Sequence, residues 1–275
     1  MVSGQAEEAG EAEEAESAGW VARLGARSLE LFAFLGSLLH FLGEAVRAAR
    51  RGVPREVFTQ QLLEIGARSL PLIGIAAFAI GVVMAIQTMT LLQKFGVVQY
   101  AAVGVGLGMT RELGPVVTAL MVAGRAGSGI SAELGSMRVT RQIDALRVLA
   151  VDPHRYLVAT RILACVVAMP LLTAIADFLG ILGGLMITTS VGGVPVPAYI
   201  DTTLYYVTVG DVLTGLGKSA IFGLIVGTVA AHYGYHTEGG TTGVGRATTA
   251  TVVVSSLMIF LSDVFLTQLL MTLGY

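Results

Sequence analysis

Arg111 and Glu112 stand side by side inside a run, from about Val97 to Gly124, that is otherwise without charge. Ionisable groups held in an apolar helix are costly and usually face a bundle interior or a watery cavity. Adjacent helical residues point about 100° apart, so the two cannot simply neutralise each other. Pro115 follows four residues after Arg111; having no N–H to give, it frees the Arg111 carbonyl and bends the helix. These residue types suit recognition of an amphiphile. A guanidinium stays charged when dehydrated and grips phosphate oxygens in pairs, while a carboxylate organises water or an amine. One and two turns earlier, Leu107 and Val103, with Gly104, would leave room for acyl chains. The structural alternative is an ion pair with Asp177 or Asp263, which lie in other apolar runs.

Other constellations carry less. Gly217-Lys218-Ser219 resembles the end of a phosphate-binding loop, but that motif needs glycine at position 212, where this chain has valine, and no strand precedes it. ATP hydrolysis by this chain is therefore not expected, and Lys218 is expected to face lipid headgroups or pair with Asp211. The four histidines share no metal-ligand spacing; His232 and His236 fall on one helical face, but two ligands do not make a site. No Ser/His/Asp set is recognisable. Cys165, the only cysteine, lies in an apolar run and reads as a small packing residue. Neither a catalytic centre nor a metal nor a bound cofactor is expected.

The elements that position these residues follow from hydropathy. Hydrophobic residues make up 54% of the chain and charged ones 13%, about half the charged share of a soluble domain; mean hydropathy is +0.76. A bilayer core of about 30 Å needs about 20 helical residues. Five stretches meet that length: Ser69 to Gln93, Val97 to Gly124, Ile162 to Thr188, Val212 to Tyr233 and Thr248 to Leu273. All must be helical, because an open sheet edge cannot survive in lipid. Glycines at Gly104 and Gly108, Gly180 and Gly184, and Gly223 and Gly227 give small-xxx-small faces for close helix approach. The cluster Gly239 to Gly245 reads as a turn. The expected fold is an all-α integral membrane protein with five transmembrane helices.

Residues 1–19, with Glu7, Glu8, Glu11, Glu13, Glu14 and Glu16, read as a disordered, solvated acidic tail with no signal-peptide pattern. Residues 20–55 form an amphipathic helix and basic linker, and 56–275 the membrane domain. Within Ser28 to Val46 one narrow polar stripe, Glu30, Ser37 and Glu44 with His40, is surrounded by leucine and phenylalanine. Such a helix is expected to lie in the interface and not to cross. All basic residues except Lys94, Arg111 and Lys218 fall on segments that are cytoplasmic if the N-terminus is inside. The positive-inside bias therefore places the N-terminus in the cytoplasm, and five spans then place the C-terminus outside.

The connection from Arg125 to Arg161 is the most informative segment. A Gly-rich turn, Gly124 to Gly129, leads into Ala132 to Leu149, in which Val139, Ile143, Leu146 and Ala150 share a helical face while Arg138, Arg141, Gln142 and Asp144 point elsewhere. Asp152-Pro153 then caps the next helix. A short amphipathic helix between spans 2 and 3 is either a docking element or a surface helix packed on its own bundle.

At this point the chain resembles a known family, the MlaE/YrbE-type permeases of MCE-associated lipid ABC transporters. The matching strings are Arg111-Glu-Leu-Gly-Pro-Val-Val117, Ala123-Gly-Arg-Ala-Gly127, Ala132-Glu-Leu-Gly135, Gln142-Ile-Asp-Ala-Leu146, Ala150-Val-Asp-Pro153, Pro170-Leu-Leu-Thr173 and Arg246-Ala-Thr-Thr249. They run in order from about residue 55 to the C-terminus. The resemblance implies a homodimeric inner-membrane permease for phospholipid or a related lipid, with an interfacial N-terminal helix and five spans. It also implies cytoplasmic ATPase subunits, which bind the ATP, and a periplasmic MCE-domain protein; nucleic acid has no part. By the same resemblance the amphipathic segment is the coupling helix, contacting the ATPase through Glu133, Met137, Arg138, Thr140, Gln142, Asp144 and Leu146, and the Arg111–Glu112 region lines the lipid cavity. The competing class is an ion-coupled secondary transporter with Arg111, Glu112, Asp177 and Asp263 as its relay, but no internal inverted repeat is detectable.

Overall fold

The computed structural model describes residues 29, 30 and 32–272, so the acidic tail expected at 1–19 lies outside the described residues. Every regular element among them is helical. Helix α1 covers Phe32–Arg50. It is followed by α2 (Arg55–Ile65), α3 (Leu70–Gln93), α4 (Ala101–Gly108), α5 (Gly114–Val122), α6 (Ser128–Val139) and α7 (Gln142–Val148). The chain ends with α8 (Ala159–Ser190), α9 (Val196–Tyr206), α10 (Val209–Tyr235) and α11 (Gly240–Thr272). Short π-helical segments at Met109–Leu113 and Ala123–Gly127 join α4 to α5 and α5 to α6, and a third at His154–Val158 opens α8.

The chain divides into two units at Glu44/Ala45. In the first, α1 carries the expected stripe: His40 reaches Glu44 at 3.4 Å, and the Ser37 hydroxyl donates to the Phe34 carbonyl at 2.7 Å. Leu29, Phe32 and Leu39 are exposed. Six helical runs among the described residues are long and apolar enough to cross a membrane, α1 being the shortest at 19 residues. This is an all-α membrane protein, with one more helix of spanning length than hydropathy alone suggested.

The second unit is a helical bundle in which glycine sets the spacing. Gly180 packs on Met109 and Gly184 on Val105, so α8 runs antiparallel to α4. A Cβ on Gly223 would stand 2.6 Å from the Cys165 carbonyl oxygen, and one on Gly227 would stand 3.0 Å from the Ile162 Cα, so α10 can lie this close to α8 only with glycine there. Cys165 is a buried free thiol in that contact, as its setting suggested. One end of the bundle holds α9, the start of α10 and the end of α11; the opposite end holds α7, the start of α8 and the end of α10.

Two glycine clusters differ from expectation. Gly124 to Gly129 is not a turn: the helical path runs unbroken from Val98 to Val139. The helix satisfies these backbone groups internally, and Gly127 is there for packing, a Cβ on it falling 3.2 Å from Val226. Likewise the turn before α11 is confined to residues 236–239, and Gly243 and Gly245 are helical. The segment Ala132 to Leu149 is therefore not one amphipathic helix. It is the end of α6 and the separate α7, broken at Arg141, whose φ is 58°. The expected cap of the next helix forms, the Asp152 carboxylate accepting the His154 N–H at 3.0 Å.

Candidate functional site

Arg111 and Glu112 lie on the π-helical segment Met109–Leu113. The extra residue in that turn, with Pro115 just after it, rotates the two side chains out of simple α register. They meet the first turns of α10 and the last turns of α11, so they lie near one end of these two helices and not at their middle. Arg111 donates from Nε to Asp211 Oδ1 at 2.7 Å, with Nη2 at 2.6 Å from the same oxygen. Asp211 is held by a capping box: its other oxygen accepts from the Thr208 N–H and hydroxyl, both at 2.8 Å, and the Thr208 hydroxyl oxygen accepts from the Asp211 N–H at 3.3 Å. The first turn of a helix is where a carboxylate is favoured.

Beside it, Lys218 reaches Glu112 Oε2 at 2.7 Å, Asp263 Oδ1 at 3.1 Å and the Thr267 hydroxyl at 2.6 Å. It also approaches the Arg111 carbonyl at 3.3 Å, the acceptor that Pro115 leaves without its helical donor. Thr267 in turn donates to Glu112 at 3.2 Å. The expectation for Lys218 was thus wrong on both counts. Its side chain is 3% exposed, and Asp211 belongs to Arg111. An isolated lysine would seek water; here three acceptor side chains from two helices converge on it, which is what a buried ammonium requires.

Burial divides the network by role. Lys218 and Asp211 are buried, only 3% and 7% exposed, while Arg111 and Glu112 stay half-exposed at 47% and 41%. The buried pair anchors; the half-exposed pair is what a ligand can touch. Both line a cavity of about 60 Å³ with Thr214, Lys218, Thr267, Leu270 and Met271. That volume suits a few waters or one small polar group and is far too small for an acyl chain. Leu107 and Val103, one and two turns earlier, are half-buried and do not line it. Their neighbours Gly104 and Gly108 face Thr88 and Met84 of α3 instead. The carboxylates Glu112, Asp211 and Asp263 outnumber the cations Arg111 and Lys218 by one.

The structure does not assemble a relay from Arg111, Glu112, Asp177 and Asp263. Glu112 and Asp263 meet through Lys218, whereas neither oxygen of the buried Asp177 has a hydrogen-bond partner.

The residues read as an ATPase contact lie at the opposite end. Glu133 is bound by the buried Arg161 at 2.8 Å. Arg138 and Arg147 both reach Asp144, at 3.1 and 3.4 Å. Thr140 turns its hydroxyl back to the Ser136 carbonyl at 2.8 Å. Met137 and Leu146 are half-buried, Gln142 is exposed, and Ile143 is the buried residue that seats α7. Arg147 also donates to the Tyr235 hydroxyl at 2.7 Å, tying α7 to the end of α10. Sequence reasoning passed over Val148 and Leu149, which are 87% and 72% exposed on a segment outside the spanning helices. Their signal was an apolar pair just before Asp152-Pro153. Residues 58–269 match the family described as Permease MlaE.

The chain belongs to the MlaE permease family.

Two of its relatives match nine-tenths of it or more. A probable ABC transporter permease protein of Rickettsia felis is 39% identical over 247 residues, 90% of this chain and 95% of the relative. The intermembrane phospholipid transport system permease protein MlaE of Haemophilus influenzae is 33% identical over 259 residues, 93% of this chain and 98% of the relative. The chloroplastic protein TRIGALACTOSYLDIACYLGLYCEROL 1 of Arabidopsis thaliana is 34% identical over 209 residues, 76% of this chain and 60% of that protein. In this MlaE-family chain the string Arg111-Glu-Leu-Gly-Pro therefore performs three structural tasks at once. It supplies the half-exposed charges, the π turn that aims them, and the carbonyl that Lys218 takes up.

Proposed function

We propose that this protein is the membrane permease of an ABC transporter that moves phospholipid or a related lipid between the inner membrane and a periplasmic MCE-domain partner, powered by a separate cytoplasmic ATPase. The observation that carries the reading is a half-exposed Arg111–Glu112 pair, backed by buried counter-charges, in a chain whose full-length relatives are named as permeases. The protein acts as a homodimer, and acyl chains occupy space completed by the second copy, since the cavity beside Arg111 and Glu112 is too small for them. Arg111 meets a headgroup phosphate and Glu112 organises water or a headgroup amine. ATP binds to the partner, which seats on α7 and the end of α6, with Val148 and Leu149 adding an apolar contact.

Conservative variants separate ligand contact from architecture. Glu112→Gln keeps an oxygen for Lys218, and Arg111→Lys keeps a cation for Asp211 while losing the planar fork. Each is expected to lower lipid co-purification and transport about tenfold, the scale of one lost charge-assisted hydrogen bond, with dimer and ATPase partner retained. Normal lipid loading in both variants would remove the pair from the substrate path.

The N-terminus lies in the cytoplasm, α1 rests in the interface, and the C-terminus is periplasmic. A cysteine placed at Gly4 in a Cys165→Ala background should resist an impermeant thiol reagent added to intact cells and react after lysis. Labelling from outside would show that α1 crosses instead.

A further inference from the structure

A cavity of about 370 Å³ opens between α2 and the helical path from the Ala123–Gly127 segment into α6. It is far larger than the one beside Arg111, and the transport reading leaves it unassigned. Gln61 and Glu64 line it from α2, and Arg125, Gly129 and Glu133 from the other side. Both carboxylates are answered by arginines: Glu64 by Arg68, and Glu133 by the buried Arg161 at 2.8 Å. Arg125 is not answered in this way. One nitrogen, Nη1, donates to the Ser69 hydroxyl at 2.9 Å and the Glu64 carbonyl at 3.2 Å, which are neutral acceptors. Among the described residues no carboxylate reaches Arg125, and its Nε and Nη2 have no acceptor. Gln61 is half-buried on the same wall, and its amide makes no hydrogen bond among those residues either.

The charge here does not cancel. Arg68, Arg125 and Arg161 are three cations against two carboxylates, Glu64 and Glu133, which leaves one positive charge in excess. A guanidinium in a cavity between apolar helices, with free N–H groups and no counter-charge, is a place for an anion from outside the chain. The helical runs on either side, Arg55–Gln93 and Val98–Val139, are both of spanning length. Leu63, Leu72 and Ile75, on either side of Ser69 in the chain, are 59%, 45% and 74% exposed. Such a setting suits a phosphate carried on acyl chains, and the volume falls within the roughly 300–1,000 Å³ of small-molecule sites. Arg111 lies fourteen positions earlier on the same continuous helix, about 20 Å away at about 1.5 Å per residue. The two arginines therefore cannot hold one headgroup.

We propose that this cavity is a second lipid-headgroup site, in which the Arg125 guanidinium and the Gln61 amide hold the phosphate of a phospholipid. The site goes beyond the transport reading and does not depend on lipid contact at Arg111.

Gly129 offers a way to close the cavity without disturbing its walls, because a Cβ there meets nothing within 4 Å. Native mass spectrometry of the delipidated full-length protein, titrated with phosphatidylglycerol, tests the site. Gly129→Trp is expected to remove one bound lipid per chain. Arg125→Lys should weaken the same lipid about tenfold, the scale of one lost charge-assisted hydrogen bond. Diacylglycerol, which lacks the phosphate, should bind wild type and Arg125→Lys alike. Arg111→Lys should keep this lipid, so that loss of contact at Arg111 and loss of this site read differently. Wild-type lipid affinity in Gly129→Trp or in Arg125→Lys would overturn the proposal. So would inorganic phosphate that displaces the lipid at equal concentration, since the site would then hold a free anion. Loss of the ATPase partner from Gly129→Trp with lipid binding intact would reject it in favour of a protein contact. Should Arg125→Lys fail to assemble, Gly129→Trp decides together with Gln61→Ala, expected to weaken the same lipid, because neither removes a side-chain bond within the chain.

Discussion

Replacing Lys218 with methionine is expected to destabilise the protein by about 3 kcal/mol, the lower end of the cost of removing one partner from a buried ion pair. The lower end applies because Glu112 is half-exposed and water can partly resolvate it. Asp263, at 18% exposure, has less relief and would be left facing Glu112 without the ammonium between them. The check is thermal unfolding of the purified protein in one detergent, read as loss of helical signal. Adding Glu112→Gln and Asp263→Asn to Lys218→Met should recover most of the loss, since a neutral network of similar shape avoids the uncompensated charges. A single variant as stable as wild type would mean that Lys218 does not hold the π segment, α10 and α11 together.

The second large effect is expected at α7. Arg138 and Asp144 bind each other at 3.1 Å, and both are partly exposed, at 36% and 49%. Reversing both, as Arg138→Asp with Asp144→Arg, keeps the internal pair while inverting the charges shown to a partner. A surface pair contributes at most about 1 kcal/mol, so the fold should hardly notice. The guanidinium introduced at position 144 would now stand beside Arg147, which retains its contact with the Tyr235 hydroxyl. Loss of the ATPase on purification, or basal hydrolysis that lipid no longer stimulates, is expected, with the melting temperature close to wild type. A double variant that assembles normally and whose ATPase still responds to lipid would take the coupling role away from this pair.

Several features were legible in the residues because they depend on composition and local spacing. An absence of charge over 20 residues forces a helix in lipid wherever the chain goes. Small residues four apart announced the α4, α8 and α10 contacts, and each of those glycines sits against another helix. Asp152 ahead of Pro153 announced the cap before α8. The family strings were equally readable, and so was the freed carbonyl of Arg111, a purely local consequence of Pro115.

Other readings failed where the answer lay in another helix. Gly124 to Gly129 looks like a turn by local rules, yet the segment is helical: Gly127 is buried against Val226 of α10, and Gly124 and Gly129 continue the helix on its exposed side. Thr140 and Arg141 carry no strong breaker signal, yet the chain turns there.

What the sequence determined by itself was the inventory: an all-helical membrane protein, its spanning runs, its glycine contacts and the identity of the charges inside it. What only the tertiary structure decided was the pairing of those charges. Arg111 with Asp211 spans 100 positions, Lys218 with Glu112 106, and Lys218 with Asp263 45. No local rule ranks one distant carboxylate above another; desolvation does, by making each buried charge accept whichever opposite charge the helix packing brings within hydrogen-bond reach. Glycine contacts fix that packing, and it brings Lys218 to Glu112 and Asp263 while leaving Asp177 among apolar helices.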